Sequence, residues 1–389
     1  MKMVFLSHYH EDKGEIEELA TELRLRGIVP WIDRDRGFKL GDNNADEARR
    51  VIREDCFGLL LYASRNAFVS PFIRKVELQE AKRVKRKNPN YLLVAVPRAM
   101  SFGQLETLSK KHFGIDLSDF YTVAIPEMTD VKPFLQEIAR LSLRSVLGMV
   151  CNDRKRGCLS IQISTRETLP DRESDILRID ASSLFSSGIE EPEGWESFKE
   201  ALRDVKKEIS FRFGRPRLEL YGSRHLTAAF LIGRVFSPFL MDVLQRDDYW
   251  PTDDKFQDAP LESDVVDSDP KSDILSVEVS VPGKKVVEAA VDRLSSEGFR
   301  PCQRIQCSLM GSIAEVNGPM SRDIVRQVRH HIENALSSQH IHTIHLFAAV
   351  PQGLMVMLGR ELGPFPPTQL YEFNGTEYLP SLLVPSGAL

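Results

Sequence analysis

Short apolar runs alternate with longer amphipathic stretches over residues 1–145. Between two of the runs, Ile16, Leu19 and Leu23 recur at helical spacing, and Gly27 follows as a residue that commonly ends a helix. This alternation predicts right-handed crossovers and a parallel sheet whose strands are buried on both faces. Five runs are predicted to be strands, at residues 3–7, 28–32, 57–63, 91–96 and 120–125.

A helical pattern at residues 130–147 predicts the end of a first domain near residue 145, with a second domain at residues 146–389. Two segments of the second domain resemble each other. Each consists of a strand, at 217–221 or 341–350, then a short loop and an apolar helix ending in Gly-Arg. This repeat predicts two fused Rossmann-like units. The acidic stretch 252–273 between them is expected to be a solvated loop.

The composition is typical of a globular protein, with 389 residues, 42% of them hydrophobic and 28% charged. The chain has no apolar run of roughly 18 residues, the length that a spanning helix needs. Its first residues also become charged too early for a secretory signal. We therefore expect a cytoplasmic protein without membrane contact. The net charge of −5 argues against binding of long nucleic acid but leaves open a basic pocket for a small anion.

The five cysteines are scattered, and their odd number disfavours a disulfide framework. Neither Cys151 and Cys158 nor Cys302 and Cys307 have the CxxC spacing that brings two thiolates to one zinc ion. We therefore expect reduced thiols and no bound metal.

Ligands bind beyond the carboxyl ends of the strands in an open parallel sheet, so the segments that follow the strands are the candidates for chemistry. Together with the preceding strands, three of these segments read FLSHYHEDK, GIVPWIDRDRGFKLGD and SPFIRKVELQEA. In order and spacing they resemble the Toll/interleukin-1 receptor (TIR) family. The resemblance covers the whole first domain and implies an α/β fold with a flavodoxin-like, five-stranded parallel sheet.

The enzymatic branch of that family cleaves the bond between nicotinamide and ribose in NAD+. The resemblance implies that Glu77 is the catalytic carboxylate, with Glu80 as the second choice. A carboxylate suits this reaction because it stabilises the oxocarbenium-like ribose left by nicotinamide, so NAD+ is the expected substrate and neither a cofactor nor a metal is required. The family usually has an aromatic residue four positions before the glutamate, whereas this chain has Ile73 there and Phe72 one place earlier. The residues expected to surround the substrate are Phe5, Ser7, His8, Trp31 and Lys39.

Simpler roles are open for the same side chains. Most surface glutamates are solvated, and Glu77 follows Arg74 and Lys75 on a predicted helix. Trp31 is more often a core residue than a ligand contact, and Lys39 suits contact with a neighbouring subunit as well as with substrate. The motif around Glu77 favours the functional role for this residue.

Two loops of the second domain follow predicted strands and precede predicted helices, where free N–H groups and the helix dipole favour a phosphate. Their segments, LYGSRHLTAAFLIGRVF and HTIHLFAAVPQGLMVMLGREL with the later QLYEFNG, resemble the SAVED family. SAVED domains are sensors built from two fused units similar to the CRISPR-associated Rossmann (CARF) domain. Arg234 and Arg360, near the helix ends, are expected to cap their helices. The candidate ligand-binding residues are Tyr221, Ser223, Arg224, His225, Pro351, Gln352, Gly353 and Tyr371.

The two resemblances together imply an anti-phage effector of the CBASS type. A cyclic oligoadenylate, with cyclic triadenylate as the leading choice, would bind the second domain and drive self-association into head-to-tail oligomers or filaments. The first domain would then hydrolyse NAD+, its site completed by residues 33–43 of a neighbouring chain. Two alternatives stay open. In one, the first domain is a non-enzymatic adaptor. In the other, it is an enzyme that makes a cyclic ADP-ribose messenger instead of depleting NAD+.

Overall fold

The chain divides into two compact units, one of Met1–Lys155 with Asp171–Ile179, and one of Arg156–Pro170 with Asp180–Leu389. The boundary expected near residue 145 lies inside a helix, Lys132–Asp153, that belongs to the first unit. The computed structural model describes residues 3–32, 44–114, 116–117, 120, 123–127, 130–153, 158–167, 175–185, 192–245, 247–253, 255–281, 285–309, 316–387 and 389.

The first unit is built on a parallel sheet flanked by helices. Its strands are β1 (Met3–Ser7), β2 (Pro30–Trp31), β3 (Cys56–Ala63) and β4 (Leu92–Pro97). Its helices are α1 (Lys13–Leu25), α2 (Asn44–Arg50), α3 (Leu78–Lys87), α4 (Phe102–Phe113) and α5 (Lys132–Asp153). The sheet order is β2-β1-β3-β4, and every neighbouring pair is parallel. At the place of the predicted fifth strand, Ile125 forms a parallel bridge with Arg98. The predicted parallel α/β fold is confirmed.

The apolar stripe of α1 explains the first crossover. Ile16, Leu19 and Leu23 are at most 1% exposed, so the face predicted from their spacing is the buried one. Gly27 follows the helix with φ of +81°, a conformation that suits glycine. Its carbonyl oxygen accepts a hydrogen bond of 3.1 Å from the amide of Arg178, which joins Asp171–Ile179 to the first unit.

Strands and helices also alternate in the second unit, as the repeat predicts. The strands are β5 (Cys158–Ser164), β6 (Asp175–Asp180, most of it in the first unit), β7 (Arg217–Tyr221), β8 (Met241–Gln245), β9 (Asp248–Pro251), β10 (Leu261–Asp267), β11 (Ile274–Ser280), β12 (Gln303–Leu309), β13 (Thr343–Ala349), β14 (Thr368–Phe373) and β15 (Tyr378–Val384). The helices are α6 (Pro192–Phe213), α7 (Leu226–Val235), α8 (Lys285–Ser296), α9 (Gly318–Ser338) and α10 (Gln352–Glu361).

Both sheets of the second unit are mixed. In one, β5, β7 and β8 run parallel and β9 pairs antiparallel with β8. In the other, the parallel strands β12, β11, β13 and β14 lie between β10 and β15, which are antiparallel to their neighbours. In each half a parallel strand, β7 or β13, leads through a short loop into a buried helix, α7 or α10.

The prediction of a solvated loop at residues 252–273 is wrong for Leu261–Asp267, which forms β10. This strand lies at the edge of its sheet and pairs with β12 alone. Val265 and Val266 are about half exposed, at 50% and 47%. Backbone pairing therefore holds the strand with little apolar burial, which is why its acidic composition concealed it.

Helices α7 and α10 pack directly on each other through two glycines. A Cβ on Gly233 would overlap the carbonyl oxygen of Val356, and a Cβ on Gly359 would overlap that of Phe230. The adjoining Arg234 donates to the carbonyl oxygen of Pro385, and Arg360 to that of Phe239. The Gly-Arg endings seen in the sequence thus mark a close backbone crossing, with the arginines bonded beyond their own helices.

Replacing Gly359 by alanine should destabilise the second unit, since the added methyl group overlaps backbone that cannot rotate away. We expect the free energy of unfolding of this unit to fall by about 1–3 kcal/mol, the usual cost of overpacking. Guanidinium-induced unfolding measures the change. Gly14→Ala, on an exposed helical position with nothing within 4 Å of the new Cβ, is the control and should not destabilise. Equal stability of Gly359→Ala and wild type would contradict the close crossing.

Candidate functional site

A cavity of about 220 Å³ opens at the carboxyl end of β1, and the segment that follows β3 forms its other wall. The strand order reverses between these two strands, since β2 lies on the far side of β1. Parallel sheets bind their ligands at such switch points. Three of the predicted substrate-site residues, Phe5, His8 and Glu77, are therefore brought together here. The cavity is lined by Phe5, Leu6, His8, Tyr9, His10, Ser70, Phe72, Ile73 and Glu77.

The carboxylate of Glu77 is buried and held by Ser7. Glu77 is 7% exposed and Ser7, the last residue of β1, is 1% exposed. The Ser7 hydroxyl donates a hydrogen bond of 2.5 Å to Oε2 of Glu77. Two residues that are 70 positions apart in the chain thus meet, and the bond fixes one oxygen of a carboxylate that lines the cavity.

A π-helical turn at Ile73–Glu77 accounts for the unusual position of the aromatic residue. The amide of Leu78 donates to the carbonyl oxygen of Ile73, five residues earlier, instead of the usual four. Because this turn contains one extra residue, two side chains that are five positions apart lie on the same face of the helix. In an α-helix, side chains four positions apart have this relation. Phe72 consequently lines the same cavity as Glu77.

The other predicted substrate contacts have different positions. Phe5 stacks on Trp31 with 4.5 Å between ring centroids, so the buried Trp31 supports a lining residue from behind. Nδ1 of His8 lies 3.2 Å from the carbonyl oxygen of Leu6. Lys39 lies outside the described residues, and its role stays a prediction.

Glu80, the second choice for the catalytic acid, faces elsewhere. It is 6% exposed and lies within 3.7 Å of Arg53 and 3.8 Å of Arg83, forming ion pairs with both. It is absent from the residues that line the described cavity. Glu77 therefore lines the cavity, whereas Glu80 does not.

The two predicted phosphate-binding loops meet in the second unit. Nε of Arg224, before α7, donates a hydrogen bond of 3.2 Å to Oε1 of Gln352, the first residue of α10. Nε2 of Gln352 donates in return to the carbonyl oxygen of Arg224 at 2.8 Å. Residues 128 positions apart therefore form one composite site.

Arg224 is a buried cation at the centre of this site. It is 1% exposed, and among the described residues its Nη1 and Nη2 have no hydrogen-bond partner. Burial lowers the pKa of its guanidinium to about 10. An uncompensated cation next to the starts of two helices is an arrangement that favours an anionic ligand.

Two further side chains, absent from the sequence prediction, hold the starts of the helices. Oε1 of Gln245 accepts a hydrogen bond of 3.1 Å from the amide of Gly353. Oε1 of Glu372 accepts one of 2.5 Å from the amide of Thr227. Both residues belong to strands that neighbour the loops only in space. Glu372 lies in the QLYEFNG segment, but neither its own stretch of sequence nor that of Gln245 indicates the distant amide that it binds.

The remaining predicted ligand contacts differ in accessibility. Tyr221 is 1% exposed, within the core. Tyr371 stacks on Phe347 at 4.2 Å and its hydroxyl lies 2.8 Å from Nδ1 of His345, on the face of β14 opposite to its neighbour Glu372. The carbonyl oxygen of Ser223 accepts hydrogen bonds from two backbone amides, and Pro351 precedes α10 as its N-cap residue. Contact of Tyr221 or Tyr371 with the ligand stays a prediction.

A family model matches part of each unit. The TIR domain model matches residues 4–126. The model for the SMODS-associated and fused to various effectors sensor domain (SAVED) matches residues 221–384. The chain carries a TIR domain followed by a SAVED domain. The cavity at Glu77 lies within the TIR match, and both loops of the Arg224 site lie within the SAVED match.

Solved structures share the fold. The Cap4 SAVED/CARF-domain containing receptor of Acinetobacter baumannii, with the cyclic trinucleotide 2'3'3'-cAAA, is 16% identical and has a TM-score of 0.50, over 87% of this chain and 84% of that one. Its structure with 3'3'3'-cAAA gives 16% identity and a TM-score of 0.51, over 88% and 85%. At this identity the likeness shows the fold alone. No curated protein matches the chain.

Neither a membrane span nor a metal cluster is found in the described residues. Across the described ranges, no helix has the combination of length and apolar character that crossing a bilayer requires. The same ranges contain no group of three or more His, Cys, Asp or Glu side chains placed to hold a metal ion.

His225 of the SAVED domain lies in an aromatic environment next to Arg224. Its ring centroid is 5.5 Å from that of Phe185 and 6.1 Å from that of Trp195. Nδ1 lies 3.0 Å from Oγ1 of Thr165. Burial, and secondarily the charge of Arg166, lowers the pKa of His225 to about 4. The residue is therefore neutral at pH 7, which leaves Arg224 as the cation of this loop.

The stability of the SAVED domain should accordingly fall as the pH is lowered from 6.5 to 4. In that window His225 binds a proton in the unfolded chain, with an ordinary pKa of 6.5, but stays neutral in the folded one. The unfolded state then binds more protons, so the stability present above pH 6.5 is lost toward pH 4. His225→Asn should flatten the dependence of the melting temperature on pH. A slope unaffected by His225→Asn would contradict the prediction.

Proposed function

We propose that the chain is an NAD+ glycohydrolase that a cyclic oligonucleotide activates. The SAVED domain binds a cyclic oligoadenylate, and the TIR domain then releases nicotinamide from NAD+. The observation that supports the enzymatic half is the buried carboxylate of Glu77, oriented by Ser7 at the switch point of the sheet. In an infected cell the loss of NAD+ would stop growth, the anti-phage role that the resemblance implies.

The chemistry requires an anion beside the ribose. When the glycosidic bond breaks, its electrons leave with the nicotinamide nitrogen, and C1' of the ribose acquires oxocarbenium character. The carboxylate of Glu77 stabilises this positive charge, and water adds to C1' and loses a proton to give ADP-ribose. The hydrogen bond from Ser7 fixes the carboxylate beforehand. Phe5 and Phe72 supply apolar walls for the flat nicotinamide ring.

The size of the cavity supports self-association as part of the proposal. Its volume of about 220 Å³ is below the roughly 300–1,000 Å³ of typical ligand pockets, so it suits the nicotinamide riboside end of NAD+. The adenosine diphosphate end then requires another surface. We assign that surface to residues 33–43 of a neighbouring chain, with Lys39 facing the phosphates, in a head-to-tail assembly.

A cyclic oligoadenylate is the proposed activator because the loops of both repeats meet at a buried cation. The solved Cap4 receptors hold cyclic trinucleotides of adenylate, and we extend this ligand class to the present SAVED domain. Arg224 supplies positive charge for a phosphate, since the amides of Thr227 and Gly353 are already bound by Glu372 and Gln245. Cyclic triadenylate is therefore the first ligand to test.

Glu77→Gln should reduce nicotinamide release by at least about a hundred-fold, the usual effect of removing an electrostatic group from a site. The full chain is incubated with NAD+ and with 2'3'3'-cAAA, 3'3'3'-cAAA or a cyclic dinucleotide, and products are separated by chromatography. Ser7→Ala should lose about ten-fold, because the carboxylate keeps its charge but loses one hydrogen bond. Glu80→Gln is the matched control, being equally buried on the same helical segment, and should stay within a few-fold of wild type.

Three results would count against parts of this assignment. Release that survives Glu77→Gln rules out this residue as the essential acid. No release with any ligand favours the adaptor. Cyclic ADP-ribose as the main product favours the messenger enzyme.

Mixing two inactive variants should restore activity if the site is shared between chains. A Glu77→Gln chain retains Lys39, and a Lys39→Ala chain retains Glu77, so a mixed assembly contains sites with both native residues. We expect each variant alone to be impaired, activity to recover in the mixture with ligand, and light scattering to rise in parallel. If light scattering rises but activity does not recover, the site is not formed by Glu77 of one chain and Lys39 of another.

A further inference from the structure

The repeats of the SAVED domain are joined at their loops by two hydrogen bonds between the same pair of residues. Arg224 donates from Nε to Oε1 of Gln352 at 3.2 Å, and Gln352 donates from Nε2 to the carbonyl oxygen of Arg224 at 2.8 Å. The Gln352 amide is anchored to the backbone carbonyl of Arg224 and accepts from Nε of its guanidinium. This pair of bonds fixes the orientation of the guanidinium.

The outer nitrogens of this guanidinium are left unsatisfied in a fully buried position. Within the described part of the chain, Nη1 and Nη2 have no hydrogen-bond partner, and the residue is 1% exposed. Burial alone accounts for its lowered pKa, with no opposing contribution from a carboxylate among the described residues. Glu372, the buried acid at this end of α7, already accepts from the amide of Thr227. A buried cation without a counter-ion is among the most costly groups in a folded protein.

The two repeats contribute unequally to this arrangement. His225 and Pro351 are the N-cap residues of α7 and α10, so Val350 is the counterpart of Arg224 in the second loop. The first repeat supplies the charge, and the second supplies the amide that directs it. One guanidinium therefore serves a site made of two loops.

We propose that Gln352 is a positioning residue that holds the outer nitrogens of Arg224 ready for a phosphate of the ligand. The ligand-free domain carries an unneutralised cation, and the bound phosphate is its counter-ion. This inference rests on the proposed recognition of a cyclic oligonucleotide by these loops. If it holds, ligand binding depends on the hydrogen bonds between Arg224 and Gln352, which join the two repeats.

The first test needs no ligand. Arg224→Met removes the charge while retaining much of the apolar volume, so the melting temperature of the ligand-free full chain should equal or exceed that of wild type. A melting temperature below that of Gln352→Met, which loses the same hydrogen bond but keeps the charge, would overturn the proposal, because it would show that the protein already neutralises the guanidinium. Inorganic pyrophosphate should raise the melting temperature of wild type and leave that of Arg224→Met unchanged.

The second test separates positioning from general structural support. Gln352→Met removes both hydrogen bonds and should weaken binding of 2'3'3'-cAAA or 3'3'3'-cAAA by about ten-fold, measured by calorimetry. In the Arg224→Met background the same change should have no further effect. Gln245→Met is the matched control, because Gln245 holds Gly353 without a hydrogen bond to Arg224, and its effect should add to that of Arg224→Met. Additive effects for Gln352 and Arg224 would overturn the positioning role.

Gln352→Glu distinguishes charge from shape. Glutamate has nearly the shape of glutamine but brings a negative charge to the guanidinium. If the ligand phosphate is the counter-ion of Arg224, Gln352→Glu should bind the ligand more weakly than Gln352→Met does. The ligand-free Gln352→Glu protein should have the higher melting temperature of the two. Binding better than that of Gln352→Met would contradict the proposal. If wild type binds neither cyclic trinucleotide, the proposed sensing function fails, and the melting comparison with pyrophosphate still decides the role of Arg224.

Discussion

The close crossing of α7 and α10 is the constraint on which the SAVED site depends. Gly233 lies against Val356 and Gly359 lies against Phe230, so each glycine faces the residue three positions before the other. Side chains at a helix contact set the distance between the axes, and only glycine permits this approach. Since α7 and α10 begin directly after the two loops, the crossing also brings the helix starts together. The pairing of Arg224 with Gln352 is thus a consequence of backbone packing further along both helices.

In the TIR domain the corresponding constraint is local. The π turn at Ile73–Glu77 inserts one residue into a helix, and this moves Phe72 into the position that a residue four before Glu77 has in a regular helix. Such turns are rare and frequently lie at functional sites, although a second one in this domain, Val51–Asp55, does not line the cavity. A departure from the family pattern that looks like a lost aromatic residue in the sequence is therefore compensated by the backbone.

Much of the fold could be predicted because buried parallel strands and helix stripes leave strong periodic patterns, as in Cys56–Ala63 and in α1. The repeat was visible in the Gly-Arg endings, but nothing local shows that Gly233 and Gly359 face each other. Strand β10 was missed because edge strands need backbone pairing more than burial. Glu372 and Gln245 were missed for a related reason, since their partners are helix amides from distant segments. Sequence patterns report burial and period, whereas these contacts depend on tertiary packing.

Each site holds a buried charged side chain on a neutral partner, Ser7 for Glu77 and Gln352 for Arg224, but the two differ in how much of the charged group is satisfied, and their proposed roles account for this difference. Glu77 is bound by Ser7, whereas the outer nitrogens of Arg224 lack a partner in the described residues. A catalytic carboxylate gains from being fixed before the substrate arrives, because its orientation then costs nothing during the reaction. A sensor instead requires a free-energy difference between its empty and occupied states, and a ligand can shift an equilibrium only by that difference. If the protein neutralised Arg224 itself, a phosphate would gain little on binding. An unneutralised cation makes the ligand's own charge the source of that difference.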